Sequence, residues 1–586
     1  MSGPDIGQAG VVAGFATARL DAVFRSVRGS RRLAFTVWNA TQGQLFPGMT
    51  RTTPAPVAPQ GEVFSRRATG LVRLGTPWRV LILNFANIGL TYIWFTFWIT
   101  PGVFPRSNLF LSLAIAGLGT AVFAVVLAAF SSSFPRSGGE YVYVSRTLHP
   151  AVGFGCSVAA ALSQCFWVGI GGFWIANLVL APVLAAFSAS TGSATLGDWS
   201  SSMATADAGF ILGTLCVALC VLINFGGLRT YFRFQTISFA VGILALAALM
   251  GVFVSASESD FSSGLNKLAA SAGGSPTAFQ DLVSGAQAGG MPGGVTLRDT
   301  LGIVAITWLL AFASTYIAGE VRSPRRTQIV GTVGGTFAYT AVVMLLLAAI
   351  TIPVTLAFNK SAAWMNYNSD SYPEILPLDP TFITWASALV DNTILLAVVA
   401  LGLVVWSFFW LPSAMIIATR AMFAWSMERL VPAKLSDVHP ATNAPIAATL
   451  TVAVIAELFL IAYWRDWFTY LTPFLAYACV FGVVSIAAIV AGFKPSARAL
   501  LAKAGWDSRF AGVPIVSACG AVGLLYWGAA LYFALSVDAL ALNTTKQLML
   551  TAAQLLVPFA AFFAVSAWRR SRGIPLGAAY AQLPPE

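Results

Sequence analysis

The chain of 586 residues is 57% hydrophobic and 9% charged, with a mean hydropathy of +0.77, far more apolar surface than one soluble core can bury. Its formal net charge is +11, and its six cysteines, Cys156, Cys165, Cys216, Cys220, Cys479 and Cys519, all fall inside apolar runs without metal-ligand spacing. These features exclude a soluble globular class, a disulfide framework and a zinc site, and leave the bilayer as the solvent.

Residues 1–78 mix Gly, Ala, Pro and Arg, and the start of the chain lacks the pattern of a secretory signal peptide. Within it, Val11–Phe35 reads either as an amphipathic helix on an anionic leaflet or as a flexible basic tail. The composition favours the tail. Pro54, Pro56 and Pro59 make an extended linker before the first span.

From Arg79 onward, apolar runs fall at about 80–101, 108–130, 151–187, 209–227, 232–254, 300–318, 328–352, 390–419, 445–462, 467–491, 511–535 and 546–567. A span needs ~20 apolar residues, so the runs predict twelve transmembrane helices, with both termini on one side. Basic residues choose that side. Apart from Arg106, Lys267, Arg298, Lys360, Arg465 and Lys546, every Lys and Arg falls in the tails or in the loops that follow even-numbered spans. The asymmetry predicts cytoplasmic N- and C-termini and accounts for the net charge as topology, so nucleic acid is not an expected partner. The three longest loops, Ser188–Ala208, Ser255–Asp299 and Pro353–Leu389, then face outside, with one short helix expected near Ser275–Ala288.

The first run carries Asn84, Asn87, Gly89 and Thr91 within eight residues, which is costly in lipid unless they face protein, water or ligand. A helix break at Asn87, Ile88, Gly89, Leu90 and Thr91 would free backbone groups able to hold a carboxylate and a cation. Close packing at Gly89 is the structural alternative. The sixth run has small and hydroxyl residues at the corresponding place: Thr307, Ser314 and Thr315 for hydrogen bonding, the small Ala313 beside them, and Trp308 and Phe312 to close over an apolar or cationic group. Both histidines, His149 and His439, lie in predicted loops. No imidazole and almost no carboxylate is buried in the spans, which argues against an enzyme.

Between the second and third runs stands Pro135-Arg-Ser-Gly-Gly-Glu-Tyr-Val-Tyr143. The order closely resembles the signature loop of the amino acid–polyamine–organocation transporter superfamily. Three further segments are similar to that family: Glu320-Val-Arg-Ser-Pro-Arg-Arg326, Asn224-Phe-Gly-Gly-Leu-Arg229, and the loop from Arg420 through Pro432 to Pro445. Thr100-Pro-Gly102 resembles the end of the family's first helix.

The resemblance implies an all-α integral membrane fold of twelve helices, the LeuT-type five-plus-five inverted repeat with two added helices. The repeats would occupy 79–255 and 299–491, separated by an exofacial loop at 256–298, with the added helices at 492–567 and a tail at 568–586. It implies a secondary active transporter in the plasma membrane, moving an amino acid, amine or polyamine by alternating access between broken helices one and six. A same-fold transporter of another small organic solute is the alternative, and a membrane enzyme or sensor a more distant one. The family's glycine-rich break is replaced here by Trp94-Phe95-Thr96, and its Gly-aromatic-acidic triplet by Leu310-Ala311-Phe312. No cofactor or metal is expected. Ser407 and Ser413 are candidates for a coupling sodium ion, with a proton as the other option. Arg136, Glu140, Arg146 and Glu320 are candidates for a cytoplasmic gate, Glu140 and Glu320 pairing with Arg136, Arg146 or Arg322. Glu457 would reach the interface or pair with Arg465.

Overall fold

A computed structural model describes residues 64–65, 69–89, 100–467, 472–574 and 576–585. Within them the chain is helical apart from short connections and one two-residue strand pair, Arg509–Phe510 against Val513–Pro514. Among the described residues, ten helices are long and apolar enough to cross a membrane. In chain order, together with three shorter helices (the first, third and seventh), they are α1 (Pro77–Ile88), α2 (Leu109–Ser133), α3 (Glu140–Thr147), α4 (Pro150–Thr191), α5 (Ala206–Phe225) and α6 (Gly227–Val254). Then come α7 (Leu297–Ile306), α8 (Pro324–Ile350), α9 (Thr393–Met427), α10 (Ile446–Trp464), α11 (Thr472–Ala491), α12 (Ile515–Leu535) and α13 (Thr545–Ser571).

The starts follow local chemistry. Thr76 caps α1 by accepting from the Arg79 N–H, with Pro77 in the first turn, and Asn108 caps α2 by accepting from Leu111. Among the described residues, the two predicted runs without a membrane-length helix are the first and the sixth. They appear as α1, of 12 residues, and α7, of 10. The helices with the least burial, α13 and α12, present Leu525, Leu556 and Val557 outward, as a lipid-facing surface requires. Inside, helices approach closely through small residues: a Cβ on Gly172 of α4 would lie 2.6 Å from Gly213 Cα of α5.

Three boundaries differ from expectation. The eighth run extends to Met427, so that Arg420 lies within a buried helix and not in a loop. The third run is one helix of 42 residues with a π turn at Ala176–Leu180. The long loops fold. Besides Ala278–Ala288, near the expected helix, they hold helices Ala194–Met203, Glu258–Ser271, Leu356–Asn368 and Phe382–Leu389. Their cohesion is aromatic, with Phe279 stacked on Phe358 at 4.5 Å and Phe261 edge-on to Trp385 at 5.5 Å.

Candidate functional site

Two helices stop where the sequence places polar and small residues. α1 ends because Gly89 takes φ 73° and ψ 158°, backbone angles that a residue with a side chain avoids. The freed Gly89 carbonyl accepts a hydrogen bond from the Tyr339 hydroxyl of α8. Leu90 and Thr91, the remainder of the expected break, lie outside the described residues.

α7 ends at Ile306. Thr307 is extended, and the chain stays non-helical through Phe312 before a 3₁₀ turn at Ala313–Thr315. Side chains take up backbone groups that the break releases. Thr336 Oγ1 accepts from the Ala311 N–H at 3.1 Å, and Asn84 Oδ1 from the Ser314 N–H at 2.8 Å. Asn84 Nδ2 donates back to Ser314 Oγ at 2.9 Å, and Ser314 Oγ donates to Gln328 Oε1 at 2.7 Å. All three residues of this clamp are buried, and their pairing removes the cost of placing amides in the membrane interior.

The ends of α1 and α7 meet at one cavity between the membrane helices. Asn87 and Ile88 come from α1, and Trp308 and Phe312 from the α7 break. α4 supplies Gln164, Trp167 and Trp174, α9 supplies Trp410, and α11 adds Pro473, Phe474, Tyr477 and Phe481. Among the described residues, no ionisable side chain other than the Tyr477 phenol lines it. The rings interlock: Trp308 lies 4.8 Å from Phe474, Trp167 lies 5.4 Å from Trp174, and Phe312 lies 5.5 Å from Phe481. Tyr477 donates to the Ala160 carbonyl at 3.2 Å and accepts from Gln164 Nε2. Asn87 Nδ2 donates to Ser413 Oγ at 3.3 Å, while Asn87 Oδ1 is buried without a partner among the described residues.

Of the residues expected to bind substrate, Asn87, Ile88, Trp308 and Phe312 line the cavity, and Gly89 sits beside Trp410. Ala313, Ser314 and Thr315 do not. Ser314 is taken up by the clamp, and Thr315 Oγ1 donates to the Phe312 carbonyl at 2.8 Å. The two ion candidates also separate. Ser413 joins Asn87 to the Trp410 carbonyl, to which it donates at 2.6 Å. Ser407 donates to Leu403 of its own helix at 2.7 Å, as serines in membrane helices commonly do.

The Pro135–Tyr143 loop lies against the chain that follows the α7 break. Ser137 bridges Ile317, and the Gly138 N–H donates to the Tyr316 carbonyl at 3.0 Å. Gly139 has φ 57°, and a Cβ there would meet the Tyr316 ring at 2.8 Å. The segment before α1 adds a further layer, since Gly75 N–H donates to the Glu320 carbonyl at 2.9 Å and Arg322 N–H to the Gly75 carbonyl at 2.8 Å.

The ion pairs on this face differ from those the sequence suggested. Glu320 pairs with Arg420 of α9, Nε to Oε1 at 2.7 Å and Nη2 to Oε2 at 2.9 Å, both side chains being buried. Arg146 pairs with Glu428, which also accepts from the Tyr141 hydroxyl. Arg322 Nε donates to the Arg73 carbonyl, and Arg136 Nε to the Pro584 carbonyl. Glu140 has no ion-pair partner among the described residues. The reason is position: Glu140 points inward from the first turn of α3 and is only 2% exposed, while the arginines on this face point to other acceptors. Burial pushes its carboxyl up to about 7, against the opposing influence of Tyr316, its own backbone N–H and Ser157. Its Oε1 has no hydrogen-bond partner. Glu457, for its part, accepts from Thr214 at 3.2 Å, and Arg465 lies over the Trp464 ring.

Sequence reasoning missed Arg420, although its charge inside the apolar stretch Leu411–Met427 was a usable signal. It also missed the α4 and α11 walls. Among those, Gln164 was the one legible residue, a lone amide flanked by apolar residues.

Many apolar membrane-length helices, together with two shorter ones, α1 and α7, that stop at a shared internal cavity, define a multi-pass membrane protein of the transporter class. A family model described as amino acid permease matches residues 76–560, and the chain belongs to that family. No curated protein matches the chain. Membership points to a transporter and not an enzyme, with a small molecule as substrate and the bilayer as surroundings.

Proposed function

We propose that the protein is a secondary active transporter that carries an amino acid or related amine across the plasma membrane by alternating access. The observation that carries this reading is the meeting of the α1 and α7 ends at one cavity between the membrane helices. Ends of interrupted helices offer backbone groups for a polar solute at a depth where no water competes.

Assigning α1, α2, α7 and α8 to a moving bundle, and the remaining helices of a five-plus-five repeat to a scaffold, sorts the contacts in a useful way. The Asn84–Ser314–Gln328 clamp is internal to the bundle, whereas Glu320–Arg420 and Asn87–Ser413 cross from bundle to scaffold. Crossing contacts are those a rocking motion breaks. Glu320–Arg420, with the Pro135–Tyr143 loop beside it, then serves as the cytoplasmic closure. The charge distribution of the loops supports cytoplasmic termini. For coupling, Glu140 is the group suited to a proton, and Ser413 the one suited to a sodium ion.

A second reading, transport of a different small organic solute on the same fold, is favoured by the aromatic cavity wall. The test is uptake and exchange by the purified protein in liposomes, with labelled amino acids, amines and polyamines under imposed pH and sodium gradients. Accumulation or exchange of any of them supports the proposal. Failure with all of them, together with uptake of another organic solute, favours the second reading.

A further inference from the structure

Resting on that transport reading, we propose that the cavity selects amine-bearing solutes with a large aromatic or flat apolar body. That body lies among Trp308, Phe312, Trp167, Trp174, Trp410 and Phe474, with an N–H donating to Asn87 Oδ1.

Three observations carry this. First, the wall is built almost wholly of aromatic rings, held by edge-to-face contacts such as Trp308–Phe474 at 4.8 Å and Trp167–Phe474 at 5.7 Å. An aromatic body extends that array with the same geometry, whereas a small solute leaves ring surface uncovered. Second, among the described residues no carboxylate, ammonium, guanidinium or imidazole lines the wall. A solute whose side chain carries a charge would hold that charge unpaired in an apolar site, which disfavours lysine-like and glutamate-like substrates.

Third, the polarity of Asn87 is fixed by its neighbours. The Ser413 hydroxyl donates to the Trp410 carbonyl at 2.6 Å, so toward Asn87 it can only accept. The Asn87 amide nitrogen must therefore face Ser413, leaving Oδ1 as a buried acceptor with no donor among the described residues. The Tyr477 hydroxyl gives no equivalent pull, because it is already occupied by the Gln164 amide and the Ala160 carbonyl. An N–H of the solute completes Asn87. The flat body and the donor must therefore be on the same molecule.

The experiment is ligand-induced thermal stabilisation of the full chain in detergent, paired with competition for uptake in liposomes. The probes are L-tryptophan, L-phenylalanine, tryptamine and phenethylamine against glycine, L-alanine, L-lysine and L-glutamate, with 3-phenylpropionate as an aromatic body without N–H. The aromatic amines should stabilise at concentrations ~10-fold or more below the small and charged compounds, and 3-phenylpropionate should be weak. Asn87→Leu should remove the advantage of phenethylamine over 3-phenylpropionate, and Asn87→Asp, which keeps an acceptor, should retain it. A monodisperse Asn87→Leu protein with unchanged preference overturns the proposal. If that variant does not fold, the wild-type comparison of phenethylamine with 3-phenylpropionate decides alone. Equal or better binding of alanine, lysine or glutamate overturns the selectivity while leaving amino acid transport standing. Binding of none of the amines or amino acids removes both.

Discussion

Glu320 and Arg420, 100 residues apart in sequence, meet as a two-point ion pair in a site where neither side chain exceeds 4% exposure. Taking one partner away leaves a buried charge, which costs about 3–5 kcal/mol, whereas replacing both by apolar groups is often close to neutral. Glu320→Gln and Arg420→Met should therefore each lower the melting temperature strongly. The double variant Glu320→Leu/Arg420→Met should recover most of that loss and still fail in uptake. A double-mutant cycle on thermal stability measures this, and additive single effects would count against the pair.

Glu140 stands in contrast, a buried carboxyl without a counter-ion. Its folded-state value is about 7 against an ordinary 4.5, so the folded protein holds this proton more tightly than the unfolded chain does. The resulting stabilisation is complete below about pH 4.5 and is lost as pH rises through about 7, with a span on the order of 3 kcal/mol. Wild-type stability should fall between pH 5 and pH 8 by more than that of Glu140→Gln, which mimics the protonated form. Uptake by Glu140→Gln should be impaired although the protein folds. Parallel melting curves for the two proteins across that range would refute the assignment.

Ser314 was a candidate ligand in the sequence and is a strut in the structure. Ser314→Ala keeps the backbone bond to Asn84 but loses the hydroxyl bonds to Asn84 and Gln328. It should cost about 1–3 kcal/mol of stability while leaving the half-saturating solute concentration unchanged. Asn84→Ala, which deletes both bonds to Ser314, should cost more. A Ser314→Ala protein with normal stability and weakened solute affinity would restore the ligand role.

Gly89→Ala places a side chain at φ 73°, where the backbone alone costs about 1–3 kcal/mol, and sets a Cβ 3.2 Å from Trp410 Cδ1. Because Trp410 lines the cavity, the displacement should slow uptake as well as lower the melting temperature. Tryptophan fluorescence of the variant, compared with wild type, should report the shift.

Hydropathy made most of the fold legible, since ten apolar runs correspond to ten long helices. Local polarity singled out the other two, because Asn84, Asn87 and Gly89 in one run and Thr307, Ser314 and Thr315 in the other are costly in an unbroken lipid-exposed helix. What composition could not separate was inward from outward. Trp167, Phe474 and Tyr477 sit in runs as apolar as those that face lipid, and a ring facing a cavity has the same sequence signature as one facing acyl chains. The pairing of Glu320 was hidden for another reason. Its partner lies in a helix that runs eight residues past its expected end at 419, so Arg420 read as a loop residue.

The helix Pro150–Thr191 has 42 residues, about 63 Å at 1.5 Å per residue, roughly twice the ~30 Å hydrocarbon thickness. It carries Gln164, Trp167 and Trp174, so a large part of the cavity wall is mounted on a single pillar. In a rocking cycle that pillar belongs to the stationary frame. These contacts are then common to the inward-facing and outward-facing states, and release must come from withdrawal of Asn87, Trp308 and Phe312. A blocker that touches only the pillar would bind both states alike and compete with solute from either side, whereas one that reaches Asn87 would trap a single orientation.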